Sequence, residues 1–460
     1  MRHLLPVASL LLLASTAACS GSSAAHPTPP GSPPDVPVAQ LDIPRDSAAS
    51  ISPATVAGAV AANNAFAFDL YGHVLASQPA GNALTSPISA SLALTMTYAG
   101  AQGQTATEMA TALHYGAAAG AIFDGQNGLS QALASRGAAA LASAQNQPGA
   151  APGQTPPDPA DYQLQVVNSV WGEQTYPWAT PFLTTLAKSY GAGVYLEDFV
   201  HQWDPARQAI NAWVSTETND KINDLLTPGS LDDTTRLVLV NAIHLKLPWA
   251  SPFQVAATAA APFTRADGST VSAPFMNQTE ELAYTDDGAA QIVALPLAGG
   301  QVSVVIALPH GDLAAYEAGL SASTPNALVP PTAGQSVALS LPKVTFTSPT
   351  FSLASSLQAM GMVQAFDPSA ANFTGMCPST PDGDTLYIGD VLQKATVAMQ
   401  ETGVEAAAAT AVIVGGASVA EPAPVPMVVN RPFVLAIVDV PTGALLFLGH
   451  VEDPTDAGSP

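Results

Sequence analysis

The feature that most constrains this 460-residue chain is the segment of residues 401–412, which reads ETGVEAAAATAV. Its small side chains let the segment stay mobile while exposed, and they leave little volume to block later entry between two strands. No proline occurs from Gly403 to Glu421, and a central strand needs every backbone N–H for its hydrogen-bonded ladder. The segment is therefore suited to become a central strand of a sheet that has already folded.

A strand periodicity of two divides this segment into two faces. One face contains only small or apolar residues and carries no charge, so it can be buried. Its members are Val404, Ala406, Ala408, Thr410, Val412 and Val414.

The segment resembles the hinge and reactive-centre loop of the serpin family, and a second segment strengthens the resemblance. Residues 427–437 read MVVNRPFVLAI, which matches the family's pattern for its C-terminal strands. Other positions that match occur in chain order over roughly residues 58–454: Asn82, residues 85–89, 98–105 and 108–109, Leu113, residues 237–243, Trp249, Phe253, Gly443, Leu446, Phe447, Gly449, Val451 and Pro454.

The resemblance implies an α+β serpin fold with three β-sheets, about eight or nine helices and an exposed reactive-centre loop. It places the helix that crosses the front of the main sheet between Trp171 and Phe199. It also implies inhibition of a protease by insertion of the cleaved loop into that sheet. Such a chain is consumed by its reaction, so it is not an enzyme, and we expect no metal and no cofactor.

The hinge and reactive-centre loop are assigned to residues 401–426 by the resemblance. Family spacing, counted as seventeen residues from Glu401, places the scissile bond between Ala417 and Ser418. The loop before Pro432 is longer than the family pattern, so displacement of the bond toward Val419 or Ala420 stays open. The hinge residues are Glu401, Gly403, Val404, Glu405, Ala406, Ala407, Ala408, Ala409 and Thr410.

A small residue at the cleaved position suits an elastase-like or subtilisin-like pocket, and it would leave the acidic group of a trypsin-like pocket unpaired. The expected partner is therefore an extracytoplasmic serine protease with such a pocket. Papain-like cysteine proteases also pass through an acyl-enzyme, so they are possible targets too. We expect the inhibitor to be a monomer.

Five residues resemble the family's control points for opening of the main sheet. Lys343 is matched to the ion-pair partner of Glu401, and Trp249 belongs to the same region. Ser86 and Asn241 resemble a polar cluster beneath the sheet, where Gln393 replaces the usual histidine. Glutamine can donate and accept hydrogen bonds but cannot change charge with pH.

The N-terminus is typical of an export signal, with Arg2 followed by an apolar run from Leu4 to Ala14. Residues 1–19 end at Cys19 in a sequence that resembles a bacterial lipobox, which favours lipidation of that cysteine over an ordinary cleaved signal. We expect a protein that is exported and then lipid-anchored at the cell envelope, or else extracellular. Residues 20–57, rich in Ser, Pro and Ala, are expected to form an extended tether.

The domain boundaries predicted from the sequence place the serpin domain at residues 58–454 and a short tail at 455–460. Within the domain, residues 137–160 are rich in Ala, Gln and Pro, which predicts a low-complexity surface insertion. Only Cys19 and Cys377 are present, so no disulfide framework is expected. The eight histidines show no spacing typical of metal ligands.

The charge of the chain limits its partners. The 12 Lys and Arg residues against 35 Asp and Glu residues give a net charge of −23. This charge opposes binding to nucleic acid, to anionic membrane and to heparin. Contact with a membrane is therefore expected only through the lipid anchor.

An alternative function is that of a non-inhibitory serpin, which acts as a surface binding or carrier protein. Non-inhibitory members commonly lose the run of small residues in the hinge. This chain keeps that run between Gly403 and Val412, which favours the inhibitor.

Overall fold

The computed structural model describes residues 36–77, 80–116, 118–146, 156–321, 328, 334–381, 383, 385–405 and 423–458. Within these ranges, no helix is both long enough and apolar enough to span a membrane. The α-helices found there are α1 (Pro53–Ser77), α2 (Pro87–Tyr98), α3 (Gly103–Ala112), α4 (Ala119–Ala134), α5 (Arg136–Gln145), α6 (Thr180–Tyr190), α7 (Phe199–Glu217), α8 (Leu313–Glu317) and α9 (Ala354–Ala359).

The described strands form two hydrogen-bonded sheets. The strands are β1 (Val38–Ala39), β2 (Ala83–Thr85), β3 (Gln163–Glu173), β4 (Val194–Glu197), β5 (Leu237–Pro248), β6 (Ala259–Thr264), β7 (Thr270–Asp286), β8 (Ala290–Pro296), β9 (Val302–Pro309), β10 (Gly334–Pro342), β11 (Val344–Thr347), β12 (Phe351–Ser352), β13 (Val391–Gln393), β14 (Thr396–Gln400), β15 (Gly403–Val404), β16 (Val425–Val428), β17 (Phe433–Asp439) and β18 (Ala444–Val451).

Sheet 1 has the strand order β1-β4-β3-β5-β15-β14-β11, with β13 paired to β5 and to β12. Sheet 2 has the order β16-β10-β7-β8-β9-β17-β18-β2, with β6 paired to β7. The long strand β7 pairs with β6 and β10 through most of its length and with β8 only near its end. Sheet 2 therefore combines two of the three predicted sheets, joined through β7.

The central strand β5 is buried on both faces. Its side chains at Ile243, Leu245 and Leu247 enter the core that sheet 1 shares with sheet 2. The alternate side chains at Val240 and Ala242 pack in the cluster that contains α7. This double burial explains why β5 is apolar almost throughout.

The helix that crosses sheet 1 is α7, and it begins where the predicted span ends. Residues 171–199 instead contain the end of β3, then α6 and β4. Asp198 caps α7 by accepting a hydrogen bond from the His201 N–H at 2.9 Å. Trp213 of α7 packs edge-on against Trp171 of β3, with ring centroids 6.0 Å apart. The predicted position of this helix was thus too early in the sequence.

The folded region begins before residue 58, so the predicted tether is too long. Val38 and Ala39 form β1, which pairs with β4 at the edge of sheet 1. A Cβ atom at Gly193 would lie 2.6 Å from the Ala39 carbonyl oxygen, so this close approach requires glycine. Arg45 also fixes the segment, donating hydrogen bonds to Asn127 and Ser130 of α4.

The predicted low-complexity insertion is partly helical. Residues 137–145 belong to α5, and Ala140 is buried. Arg136 begins this helix and donates two hydrogen bonds to the buried Asp439 carboxylate, at 2.6 and 3.1 Å. A structureless insertion therefore cannot begin before residue 146.

The C-terminal tail also makes a contact, because Ala457 accepts a hydrogen bond from the Thr347 N–H.

Candidate functional site

Sheet 1 has a gap in its strand pairing. The gap lies between β5 on one side and β13 and β14 on the other, within the part of the chain that the structure describes. At one end, Leu239 and Val240 of β5 pair in parallel with Val391 and Leu392 of β13. At the other end, β5 pairs with β15. Among the described residues, no strand pairs with residues 241–246 of β5 on this side, although β3 pairs with them on the other side. We call this gap the lane.

The hinge already occupies one end of the lane, beside Leu247 and Pro248 of β5, which we call the upper end. Gly403 and Val404 form β15, which is antiparallel both to β5 and to β14. Val404 is only 2% exposed and belongs to the core between the two sheets. The first residue of the apolar face predicted for this segment is therefore buried inside the sheet.

A compact turn links β14 to β15, and two hydrogen bonds donated by Trp249 hold it in place. The Trp249 indole Nε1–H donates to the Gln400 carbonyl oxygen at 2.7 Å. Its backbone N–H donates to the Thr402 carbonyl oxygen at 3.0 Å. These two bonds fix the direction in which the chain re-enters the sheet.

An ion pair lies beside this turn. The Lys343 Nζ atom is 2.8 Å from Glu401 Oε2, and Thr258 donates a hydrogen bond to Glu401 Oε1 at 2.9 Å. Burial acts to raise the pKa of the Glu401 carboxyl, but the hydrogen bonds from Lys343 and Thr258 outweigh it, so the pKa is lowered. Glu401 is therefore a carboxylate at neutral pH.

A buried polar cluster lies at the lower end of the lane, and it brings together Ser86, Asn241 and Gln393. The Gln393 amide accepts from the Ser86 N–H at 3.0 Å and donates to the Ser86 carbonyl oxygen at 2.9 Å. It also donates to Asn241 Oδ1 at 3.3 Å. Each of the three residues is about 1% exposed, so the cluster joins α2 to both strands that border the lane without contact with water.

Several predicted site residues lie outside the described residues. These are Ala406, Ala407, Ala408, Ala409 and Thr410 of the hinge, Ala417 and Ser418 of the reactive bond, and the lipidation residue Cys19.

The predicted hinge residue Glu405 contacts His244, a residue that the sequence did not single out. Glu405, the residue after β15, has its carboxylate 3.1 Å from His244 Nε2 on β5 and 3.5 Å from Lys221 Nζ after α7. A polar residue at an outward position of a strand is common, so His244 gave no local signal. Only the register of β15 against β5 brings it to the hinge.

Comparison with known proteins now identifies the family. The family model described as serpin (serine protease inhibitor) matches residues 61–454. The chain is a serpin.

Curated relatives agree with this assignment over nearly their whole length. The leukocyte elastase inhibitor of Sus scrofa is 33% identical over 408 residues, covering 86% of this chain and 99% of the relative. The corresponding human protein is 31% identical and covers 85% and 98%. An uncharacterised serpin-like protein of Thermococcus kodakarensis is 32% identical and covers 86% of each chain.

Solved serpin structures share the fold. Tengpin, a thermophilic serpin in its native state, superposes with a TM-score of 0.75 at 25% identity and covers 91% of this chain and 99% of its own. Native protease nexin-1 with heparin gives a TM-score of 0.71 at 27% identity, with 87% and 100% covered. A complex of thyroxine-binding globulin with thyroxine gives 0.70 at 26% identity, with 86% and 99% covered.

We predict that Glu401→Gln destabilises this serpin by about 1 kcal/mol at pH 7, because a partly exposed ion pair contributes little more than this. The folded-state pKa of Glu401 lies below its ordinary value of 4.5. Its charge therefore contributes stability above that value and loses it as the pH falls through the folded pKa. Urea unfolding of both proteins from pH 7 downwards measures the difference, which should shrink below about pH 4.5.

The exposed carboxylate Glu281 on β7 provides the control. Glu281→Gln should leave the urea midpoint within experimental error of the wild type at every pH. A Glu401→Gln difference that is the same at neutral and acid pH would show that the charge of Glu401 does not cause it.

Proposed function

We propose that this serpin inhibits extracytoplasmic serine proteases by inserting its cleaved reactive-centre loop into the lane of sheet 1. The observation that carries this proposal is the position of β15, which already lies between β5 and β14, while no other described strand fills the lane. The names of the curated relatives, leukocyte elastase inhibitors, support the same class of function.

The register of β15 indicates how an inserted loop would fit. Gly403 faces Pro248 and Val404 faces Leu247 on β5. If this antiparallel register continues, position 408 would face Ile243, and position 410 would face Asn241. On the other side, the pairing of Val404 with Met399 would bring position 410 opposite Gln393. A threonine at position 410 could then hydrogen-bond within the polar cluster, so the buried cluster would gain a partner rather than lose one.

The chemistry of inhibition belongs to the target protease. Its nucleophilic serine attacks the carbonyl carbon of Ala417, the bond to Ser418 breaks, and the Ser418 nitrogen leaves with a proton. The protease is then held as an ester on Ala417. Insertion of the loop before water can hydrolyse this ester would carry the protease along sheet 1 and distort its active site. No group of this serpin takes part in turnover.

The selectivity of the proposed inhibitor comes from the small residue before the scissile bond. Ala417 fits the shallow, apolar pocket of elastase-like and subtilisin-like enzymes, and it offers no charge to a trypsin-like pocket. The thyroxine-binding globulin complex among the similar structures shows a serpin with a bound small molecule. A carrier function is therefore the alternative that an inhibition assay must test.

Location is a second part of the proposal. We propose that the N-terminal signal exports the chain and that Cys19 is lipidated, because small residues precede a single cysteine directly after an apolar run. Lipidated protein should enter the detergent phase of a two-phase extraction, and Cys19→Ser should stay in the aqueous phase. Wild-type protein that is found wholly in the aqueous phase would contradict the lipid anchor.

The inhibition assay uses residues 36–460, mixed separately with pancreatic elastase, subtilisin and trypsin. Elastase or subtilisin should give a band at the summed mass that survives SDS, and trypsin should not. The released C-terminal peptide should begin at Ser418. Cleavage by all three proteases without a covalent band would contradict inhibition and favour the carrier function.

Insertion itself is tested with Ala408→Arg. Position 408 would face Ile243 of β5 and Ala395 beside β14, both of which are buried. An arginine there would leave a charge buried without a partner. We expect cleavage without trapping, so that the amount of covalent complex falls at least tenfold. Glu421→Arg, located after the scissile bond, is the control and should retain the complex; equal trapping by both variants would contradict this register.

A further inference from the structure

Among the described residues, Gly403 and Val404 of the hinge lie in the lane, and Glu405 follows them. Its backbone adopts the left-handed conformation, with φ of +52°. A residue with a Cβ atom rarely occupies this region, and it stays there only where surrounding contacts hold it. This conformation differs from the extended backbone of β15, which ends at Val404.

Contacts on both sides of the lane hold Glu405 in this conformation. Its backbone N–H donates to the Ala398 carbonyl oxygen of β14 at 2.8 Å. Its Oε2 atom lies 3.1 Å from His244 Nε2 on β5. Glu405 therefore bridges the two strands that would have to separate for the loop to enter.

A third contact comes from the segment that follows α7, on the outer face of sheet 1. Lys221 Nζ is 3.5 Å from Glu405 Oε2. The His244 and Glu405 side chains are 4% and 6% exposed, whereas the Lys221 side chain is 45% exposed. The interaction of His244 with Glu405 is thus the one shielded from water, where charge and hydrogen bonding act most strongly.

Charge balance at Glu405 favours its ionised form. Burial acts to raise the pKa of this carboxyl, but the hydrogen bond from His244 and the charge of Lys221 outweigh it, and the pKa is lowered. The other charged groups on the same face of the neighbouring elements are Lys246, paired with Asp161 at 2.7 Å, and Lys394, bonded to the Asn223 carbonyl oxygen. Among the described residues, the side chains that hold the Glu405 carboxylate in its ionised form are therefore His244 and Lys221.

Entry of a further residue into the lane is incompatible with these contacts. Continuing the register of β15 would place Glu405 opposite Lys246 in an extended conformation, two residues along β5 from His244. Glu405 would have to leave the left-handed conformation and break its contacts with His244 and Lys221. We propose that Glu405, His244 and Lys221 form a latch that controls how readily the loop enters sheet 1.

This inference rests on the proposed function for its purpose, but the latch can be tested without a protease. The measurement is amide hydrogen exchange of uncleaved protein, followed by mass spectrometry on peptides that contain residues 403–405. The protection factor, which is the ratio of the intrinsic to the observed exchange rate, corrects for the effect of pH on exchange chemistry. It reports how often β15 opens.

We expect Glu405→Gln and His244→Gln each to lower this protection factor at least tenfold, and Lys221→Met to lower it less. His310→Gln is the matched control, because it removes an exposed histidine that pairs with Asp286 away from the hinge.

Unchanged protection in Glu405→Gln and His244→Gln would overturn the latch. So would a loss of protection that extends equally to β3 and β4, since that would be a general folding defect. Lys221→Met is less prone to a folding defect, because the Lys221 side chain is half exposed. A loss of protection that is confined to the hinge in this variant would support the latch. Failure of the wild type to trap any protease would contradict the proposed function and leave these exchange results standing.

Discussion

The lane in sheet 1 is the constraint on which the rest of the structure depends. Residues 241–246 of β5 have strand partners on one side, and the described residues provide none on the other. A backbone hydrogen bond gained in a buried sheet contributes on the order of 1 kcal/mol net, so filling several positions gives a substantial driving force. If the loop inserts as proposed, the protein must keep the two sides of the lane apart and prevent the loop from filling the lane too early.

Three sets of contacts meet this requirement, each at a different place. The polar cluster of Ser86, Asn241 and Gln393 ties the lower end of the lane to α2. Trp249 and the ion pair of Glu401 fix the turn from which the hinge enters. Helix α7 covers the outer face of β3 and β5 with aromatic side chains. In the proposed mechanism, movement of the loop would act on all three, which would couple events at the hinge to the whole sheet.

The sequence predicted the parts of this arrangement that depend on local pattern. The burial of Val404 could be predicted because it lies on the apolar face of an alternating segment, and the fold followed from motifs spread along the chain. The start of the domain could not be predicted, since β1 is two residues long and exists only through its pairing with β4. Nor could the role of His244, because it depends on the left-handed backbone of Glu405, a tertiary feature without a sequence signature.

The two ends of the lane differ in the chemistry of the groups that hold them. In the polar cluster, the Gln393 side chain both donates and accepts hydrogen bonds, but it cannot carry a charge. The lower end of the lane is therefore insensitive to protonation at that residue. At the upper end, a buried histidine faces a buried carboxylate that holds the hinge. The upper end of the lane is therefore held through a carboxylate and its partners, whereas the lower end is held by neutral hydrogen bonds.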